Sequence, residues 1–231
     1  MSTFAKLLSL LTALALSSTA PATQPADVQL RQWITQLRDD DPQVRDSACQ
    51  SLMGLSRQDL PALRQAALAL RPLWPNQLSA LRDIVRQLYL APQPPGPDDP
   101  PSPGFLGIFW PLGPAVSPQG LMVGRRIPGF VAYRMLRSGD VIVKILDQPD
   151  LPLTQPGQFT HAVQSRHAGR ILPLAVLRSG RIIHLFIVLD PLPPGLGLDV
   201  ENWMGARDKE ADEYWNAHFA ALEPGSAASQ P

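Results

Sequence analysis

Seven prolines fall within twelve residues of this chain, Pro92-Gln93-Pro94-Pro95-Gly96-Pro97-Asp98-Asp99-Pro100-Pro101-Ser102-Pro103. Each lacks a backbone N–H and fixes φ, so neither a helix interior nor a central strand can cross the stretch. It predicts a semi-rigid spacer that rises about 3 Å per residue. The hydrophobic period differs on its two sides. Upstream it is helical; downstream, short apolar runs alternate between turn residues. The expected architecture is therefore multi-domain, α followed by α+β. Its parts are a helical module over 26–91, a linker over 92–103 and a strand-rich unit over 104–190. A loop, an acidic amphipathic helix and a disordered end follow over 191–231.

Four stripes define the helical module. Leu30, Trp33, Ile34 and Leu37 form one, and Val44, Ala48, Leu52 and Leu55 a second. Leu63, Ala66, Ala67 and Leu70 form a third, and Leu81, Ile84, Val85 and Leu88 a fourth. Each set lies on one helix face. Asp41 before Pro42 fits an N-cap followed by proline at the first helical position. Asp59 before Pro61 predicts the same start for the third helix. Pro72 and Pro75 separate the third helix from the fourth. The run Asp41-Pro42-Gln43-Val44-Arg45-Asp46-Ser47-Ala48 resembles the D-P-x-V-R-x-x-A start of HEAT-type repeats. The resemblance implies helical hairpins that serve as scaffold or docking surface.

Residues 1–22 combine Lys6, an apolar run from Leu7 to Leu16 and Ala20-Pro21-Ala22. This is the tripartite pattern of a secretory signal. The run is too short to span a bilayer, which needs about 20 apolar residues. The chain is expected to be exported to the periplasm or beyond the cell, without stable membrane insertion after cleavage. Twenty basic residues balance twenty acidic ones, which argues against a nucleic-acid partner. The single cysteine, Cys49, reads as a small core residue. No His/Cys cluster has metal-ligand spacing, so neither metal nor cofactor is expected.

Downstream of the linker, Gly104-Phe105-Leu106-Gly107-Ile108 opens a turn that runs into a strand. Pro128 to Leu136 reads as a short helix. Gly139-Asp140-Val141-Ile142 begins a strand. Pro156-Gly157 precedes a helix with Phe159, Ala162 and Val163 at i, i+3 and i+4. The runs Leu172–Leu177 and Ile182–Leu189 flank Ser179-Gly180, a two-residue hairpin signal. Landmarks in this order resemble the PDZ domain of bacterial envelope heat-shock proteases. In that family Leu106-Gly107-Ile108 corresponds to the carboxylate loop Φ-G-Φ, Gly139-Asp140 to the G-D-x-I signature and Arg178-Ser179-Gly180 to R-x-G. Tyr133 and Met135 stand where the family has small residues, and Asp147-Gln148-Pro149 where an asparagine-glycine turn is common.

The resemblance implies a small β-barrel or sandwich with two helices, binding an extended peptide or C-terminus as an added strand. The peptide-binding residues it implies are Phe105, Leu106, Gly107, Ile108, Trp110, Phe159, Ala162 and Val163. The implied partners are protein or peptide C-termini, among them those of an envelope protease or its substrates. No catalytic residues are expected. The region between the leader and Gly104 contains no histidine, so it lacks the general base of the family's protease domain. The function expected is a non-enzymatic adaptor. A purely structural envelope protein with a non-binding module and an accessory subunit of a protease stand as alternatives.

Charge is unevenly spread. Residues 104–190 carry nine basic and four acidic side chains, and residues 191–231 carry two basic and seven acidic ones. The tail helix must bury Trp215 and Phe219. Packing on a neighbouring domain of the chain would cover them; its acidity points more sharply to docking on the basic 104–190 unit.

Overall fold

Helices form where apolar residues recur every three or four positions, and a computed structural model places them there. It describes residues 27–224 except 95, 97, 99, 111–115 and 198. The expected leader and the last seven residues lie outside the described residues. The N-terminal half is helical, with α1 (Asp27–Gln36), α2 (Pro42–Met53), α3 (Leu60–Ala69) and α4 (Pro75–Leu90). Helix α1 packs on α2 and α3, and α4 packs on all three. The Asp41 carboxylate accepts from Gln43 N–H at 2.8 Å and caps α2 as its sequence predicts. Asp59 does not cap α3. Its carboxylate turns back to Ser56 N–H and Oγ, both at 2.8 Å, and closes a 3-10 turn at Arg57–Asp59. That turn supplies the entry to α3 instead. Cys49 is half-buried, and burial, aided by Asp83 and Asp46, pushes its thiol up to about 11, which suits an inert packing residue.

The C-terminal half mixes strands and helices. Its strands are β1 (Gly104–Phe105), β2 (Ile108–Phe109), β3 (Val116–Ser117), β4 (Gly120–Met122) and β5 (Arg125–Arg126). They continue as β6 (Val141–Ile145), β7 (Ile171–Arg178), β8 (Arg181–Val188) and β9 (Asp190–Pro191). Helix α5 (Val131–Met135) precedes β6, α6 (Pro156–Gln164) precedes β7, and α7 (Val200–His218) follows β9. The main sheet is antiparallel, in the order β3-β4-β6-β7-β8, and two-stranded pairs join β1 to β9 and β2 to β5. The chain is thus of mixed α and β class, with seven α-helices among the described residues. The expected turn running into a strand over 104–110 is two short strands in different sheets, β1 and β2, with the bend at Leu106-Gly107 between them.

The hairpin between β7 and β8 has Ser179 at φ +48° and Gly180 at φ +78°. Positive φ at both central positions defines a type I′ turn, whose twist matches that of the strands it joins. It fixes the register Arg178↔Arg181 through Ile171↔Val188. Arg178 thereby reaches Asp140, which is 1% exposed. The guanidinium donates Nε to Oδ1 at 2.9 Å and Nη2 to Oδ2 at 2.7 Å. Asp140 also accepts from Arg137 N–H at 2.8 Å. Two motifs that the sequence shows separately are one buried, bidentate pair.

The two halves pack together. Gln87 of α4 is buried, accepts from Gly129 N–H at 2.7 Å and donates to Phe130 O at 3.3 Å. Tyr133 donates its hydroxyl to Asp83 at 2.6 Å. Gly129 has φ +96°, and a Cβ there would lie 2.4 Å from Leu90 O. The Pro128-Gly129 turn is therefore pressed onto the end of α4. The linker's end is tied down as well: Ala168 N–H bonds Ser102 O at 2.9 Å, and Leu192 N–H bonds Pro103 O at 3.0 Å.

The tail helix corrects the charge-based expectation. Trp215, Phe219 and Leu222 enter the core of the helical half, beside residues of α1 to α4. Asp212 pairs with Arg82 at 3.0 Å, Asp208 pairs with Arg86, and Tyr214 stacks on Tyr89 at 4.2 Å. The N-terminal part of α7 touches the strand-rich half, through Trp203, Met204 and the exposed pair Arg125–Glu201. The helix straps both halves because its apolar stripe, not its net charge, selects the surface. Arg207 marks the junction. It lies over Phe130 and Trp203 and donates to Leu90 O at 3.0 Å and Pro128 O at 3.1 Å. Burial lowers its pKa from the ordinary value.

Candidate functional site

The most apolar cleft described lies between β2 and α6. Gly107 sits in the bend before β2 at φ +84°, a conformation that side chains disfavour. A Cβ at Gly107 would also lie 2.2 Å from Phe130 Cβ. The close approach that requires glycine is thus made by Phe130, packed behind the bend. A Gly107→Asp substitution would report on folding before it reported on any ligand.

The bend turns its carbonyls inward. Leu106 O accepts from Ala132 N–H at 3.0 Å and Gly107 O from Ile127 N–H at 2.8 Å. Among the described residues, the N–H groups of Leu106 and Gly107 have no acceptor. In β2 the residue pairs are Ile108↔Arg126 and Phe109↔Arg125. Since the Ile127–Gly107 bond lies one step before Ile108, ladder alternation directs Ile108 N–H and C=O away from β5. No strand is paired on that edge. Leu106, Gly107 and Ile108 therefore offer unpaired N–H groups in succession along one short bend, an arrangement suited to an anion or an added backbone.

The cleft is lined by Phe105, Leu106, Gly107, Ile108, Trp110, Phe159, Thr160, Val163 and Gln164. Seven of the eight residues expected at a peptide site are thus brought together. Ala162 is the exception. It is buried in the same core cluster as Phe159 and Val163 but does not line the cleft. Phe105 contributes less than expected, since its ring packs edge-on to Phe130 at 4.8 Å. Thr160 and Gln164 were not anticipated. They follow Phe159 and Val163 by one residue, and the helical period alone places them beside the apolar pair. Trp110 meets Phe159 edge-on at 6.1 Å, and the free space left is ≈30 Å³.

Behind the cleft, β9 supplies a tertiary cap. Asp190 accepts from Val131 N–H, the first residue of α5, at 2.6 Å. Burial raises its pKa, opposed by that hydrogen bond and by Arg134. A carboxyl whose folded pKa exceeds its unfolded one binds its proton more tightly when folded. Its stabilising contribution is complete below the unfolded value and is lost as pH rises through the folded value. Asp190→Asn keeps an oxygen acceptor and removes the buried charge. It is expected to match or exceed the parent's stability at neutral pH, with the gain vanishing near and below the carboxylate range of about pH 4. Urea unfolding of both proteins across pH 3.5 to 7 checks this.

The histidines are scattered. His161 and His218 are exposed, His184 lies on the outer face of β8, and His167 bridges to Pro103. The Ser165 hydroxyl is engaged by His161 O at 2.7 Å. Among the described residues, no three His, Cys, Asp or Glu side chains gather as a metal site, and no helix is long and apolar enough to cross a membrane. Neither the known protein families nor the curated proteins include a match to this chain.

Proposed function

We propose that this chain is an exported, non-enzymatic adaptor whose β2–α6 cleft binds an extended peptide C-terminus by strand addition, as a PDZ-like module does. The observation that carries the reading is the free edge of β2. The N–H groups of Leu106, Gly107 and Ile108 would receive the carboxylate, and Ile108 would begin a ladder with the ligand backbone. Trp110, Phe159 and Val163 would receive the last side chain. With only ≈30 Å³ of free space, the favoured terminal residue is small and apolar, alanine or valine. The helical half, with its HEAT-like start at Asp41-Pro42, would serve as scaffold or as a second contact surface. An envelope protease, or that protease's substrates, would be the source of such C-termini.

The test is a screen of C-terminal peptides in free and amidated form against the parent and Thr160→Trp. Thr160 is half-buried at the cleft rim, so the substitution fills the cleft without entering the core. The expected outcome is binding of free-carboxylate peptides ending in Ala or Val, weakened at least tenfold by amidation and by Thr160→Trp. Equal binding of free and amidated peptides would overturn the site. The narrow cleft also favours a second reading, a structural module that takes no peptide. Under it no peptide binds either protein, and both retain the same thermal transition.

A further inference from the structure

Strand β8 is an edge of the main sheet; α5 packs beside it, but the strand itself carries none of the proline, lysine or bulge devices that keep edges monomeric. Leu189 N–H donates to Arg170 O at 3.0 Å, and Leu189 O accepts from Gly169 N–H at 2.8 Å. Its backbone therefore faces β7. Antiparallel ladders alternate residue by residue, so Arg181, Ile183, Leu185 and Ile187 face β7 as well. Ile182, His184, Phe186 and Val188 direct their N–H and C=O groups to the open edge, where none has a partner among the described residues. Native edges are blunted by proline, lysine, bulges or covering elements. The run Ile182-Ile183-His184-Leu185-Phe186-Ile187-Val188 contains no proline and no lysine, and its pairing with β7 is unbroken.

The same four residues place their side chains on the outer face of the sheet, which solvent would normally make polar. Phe186 is 65% exposed, Ile182 54% and Val188 52%, and Ile171, opposite Val188, is 56%. Apolar surface of this extent beside an open edge marks a contact site.

We propose that β8 pairs antiparallel with β8 of a second copy, joining the two sheets into one. Self-complementarity argues for that occupant. With a two-fold axis through Leu185, Ile182 lies opposite Val188 of the partner subunit and His184 opposite Phe186 of the partner subunit. Each of these pairs joins residues with outward N–H and C=O groups, so every such group gains a partner. The outer-face rows become continuous: Ile171 and Val188 of one copy run into Ile182 and Leu177 of the other. No charged side chain stands at the four outward positions, and the axis sends the two Arg181 side chains to opposite ends of the pair. A bilayer could cover the apolar face but would leave the edge groups unpaired. An eight-residue strand pair with these flanks buries on the order of 1,000 Å² in total, the lower bound of a specific interface.

Sedimentation velocity of the purified chain across the micromolar range tests this, with Phe186→Lys and His184→Pro as variants. Phe186→Lys sets a charge on an exposed face. His184→Pro removes an N–H that points outward and leaves the ladder with β7 intact. The expected result is a concentration-dependent dimer whose dissociation constant rises at least tenfold in each variant, with the thermal transition of Phe186→Lys unchanged. A parent that stays monomeric throughout, or a dimer that persists in Phe186→Lys, would overturn the proposal.

Discussion

Deleting residues 200–224 should abolish the cooperative unfolding of the helical half. The truncation removes Trp215, Phe219 and Leu222 from the core formed by α1 to α4, where they are 1%, 1% and 5% exposed. Loss of a single buried Trp or Phe side chain costs about 3–5 kcal/mol. Removing both, with Leu222, approaches the whole stability of a typical domain, about 5–15 kcal/mol. The opened surface would also draw the chain into aggregates. Far-UV circular dichroism on heating reads the result: the parent shows a helical transition and the truncated chain none. Trp215→Ala is the graded form, with an expected loss of about 3–5 kcal/mol in chemical denaturation. A truncated chain that kept full helicity and a cooperative transition would mean that α7 merely rests on the helices.

Replacing Arg178 with methionine is expected to cost about 3–5 kcal/mol, the penalty for leaving a buried carboxylate without its cation. Asp140 has little recourse, since among the described residues Arg137 N–H is its one remaining donor. The loss also frees Met135 O, which Arg178 holds at 3.0 Å. The double variant Arg178→Met/Asp140→Leu should recover part of the loss, because an apolar pair of similar volume removes the uncompensated charge. Urea unfolding measures both. A single variant within about 1 kcal/mol of the parent would mean that the pair behaves as a surface ion pair.

What the sequence discloses and what it withholds divide along physical lines. The four helices of residues 27–90 are legible because their apolar residues recur at helical spacing and the starts of α2, α3 and α4 carry prolines, with a capping aspartate at α2. The β7–β8 hairpin is legible because Ser179-Gly180 suits a two-residue turn and little else. Seven cleft residues were legible through motif order, as was the glycine requirement at Gly107, though the reason lies in Phe130 and not in a ligand. The destination of α7 was not legible. A stripe of Trp215, Phe219 and Leu222 states that a helix must be covered but carries no address, and a charge count points only to the strand-rich half, which the N-terminal part of α7 alone meets. The burial of Gln87 and Arg207 follows from the packing of the two halves, which brings backbone groups to them. The union of Asp140 with Arg178 depends on strand register, which a pair of separate motifs does not state.

The central claim is that the N–H groups of Leu106, Gly107 and Ile108 receive a peptide carboxylate. Amide chemical shifts of an isotope-labelled chain, titrated with short peptides ending in Ala or Val, test it most directly. The account predicts that these three amides move downfield together with a free-carboxylate peptide, accompanied by the Trp110 indole, and stay in place with its amidated form. Movement of other amides alone, or the same response to both forms, would contradict it.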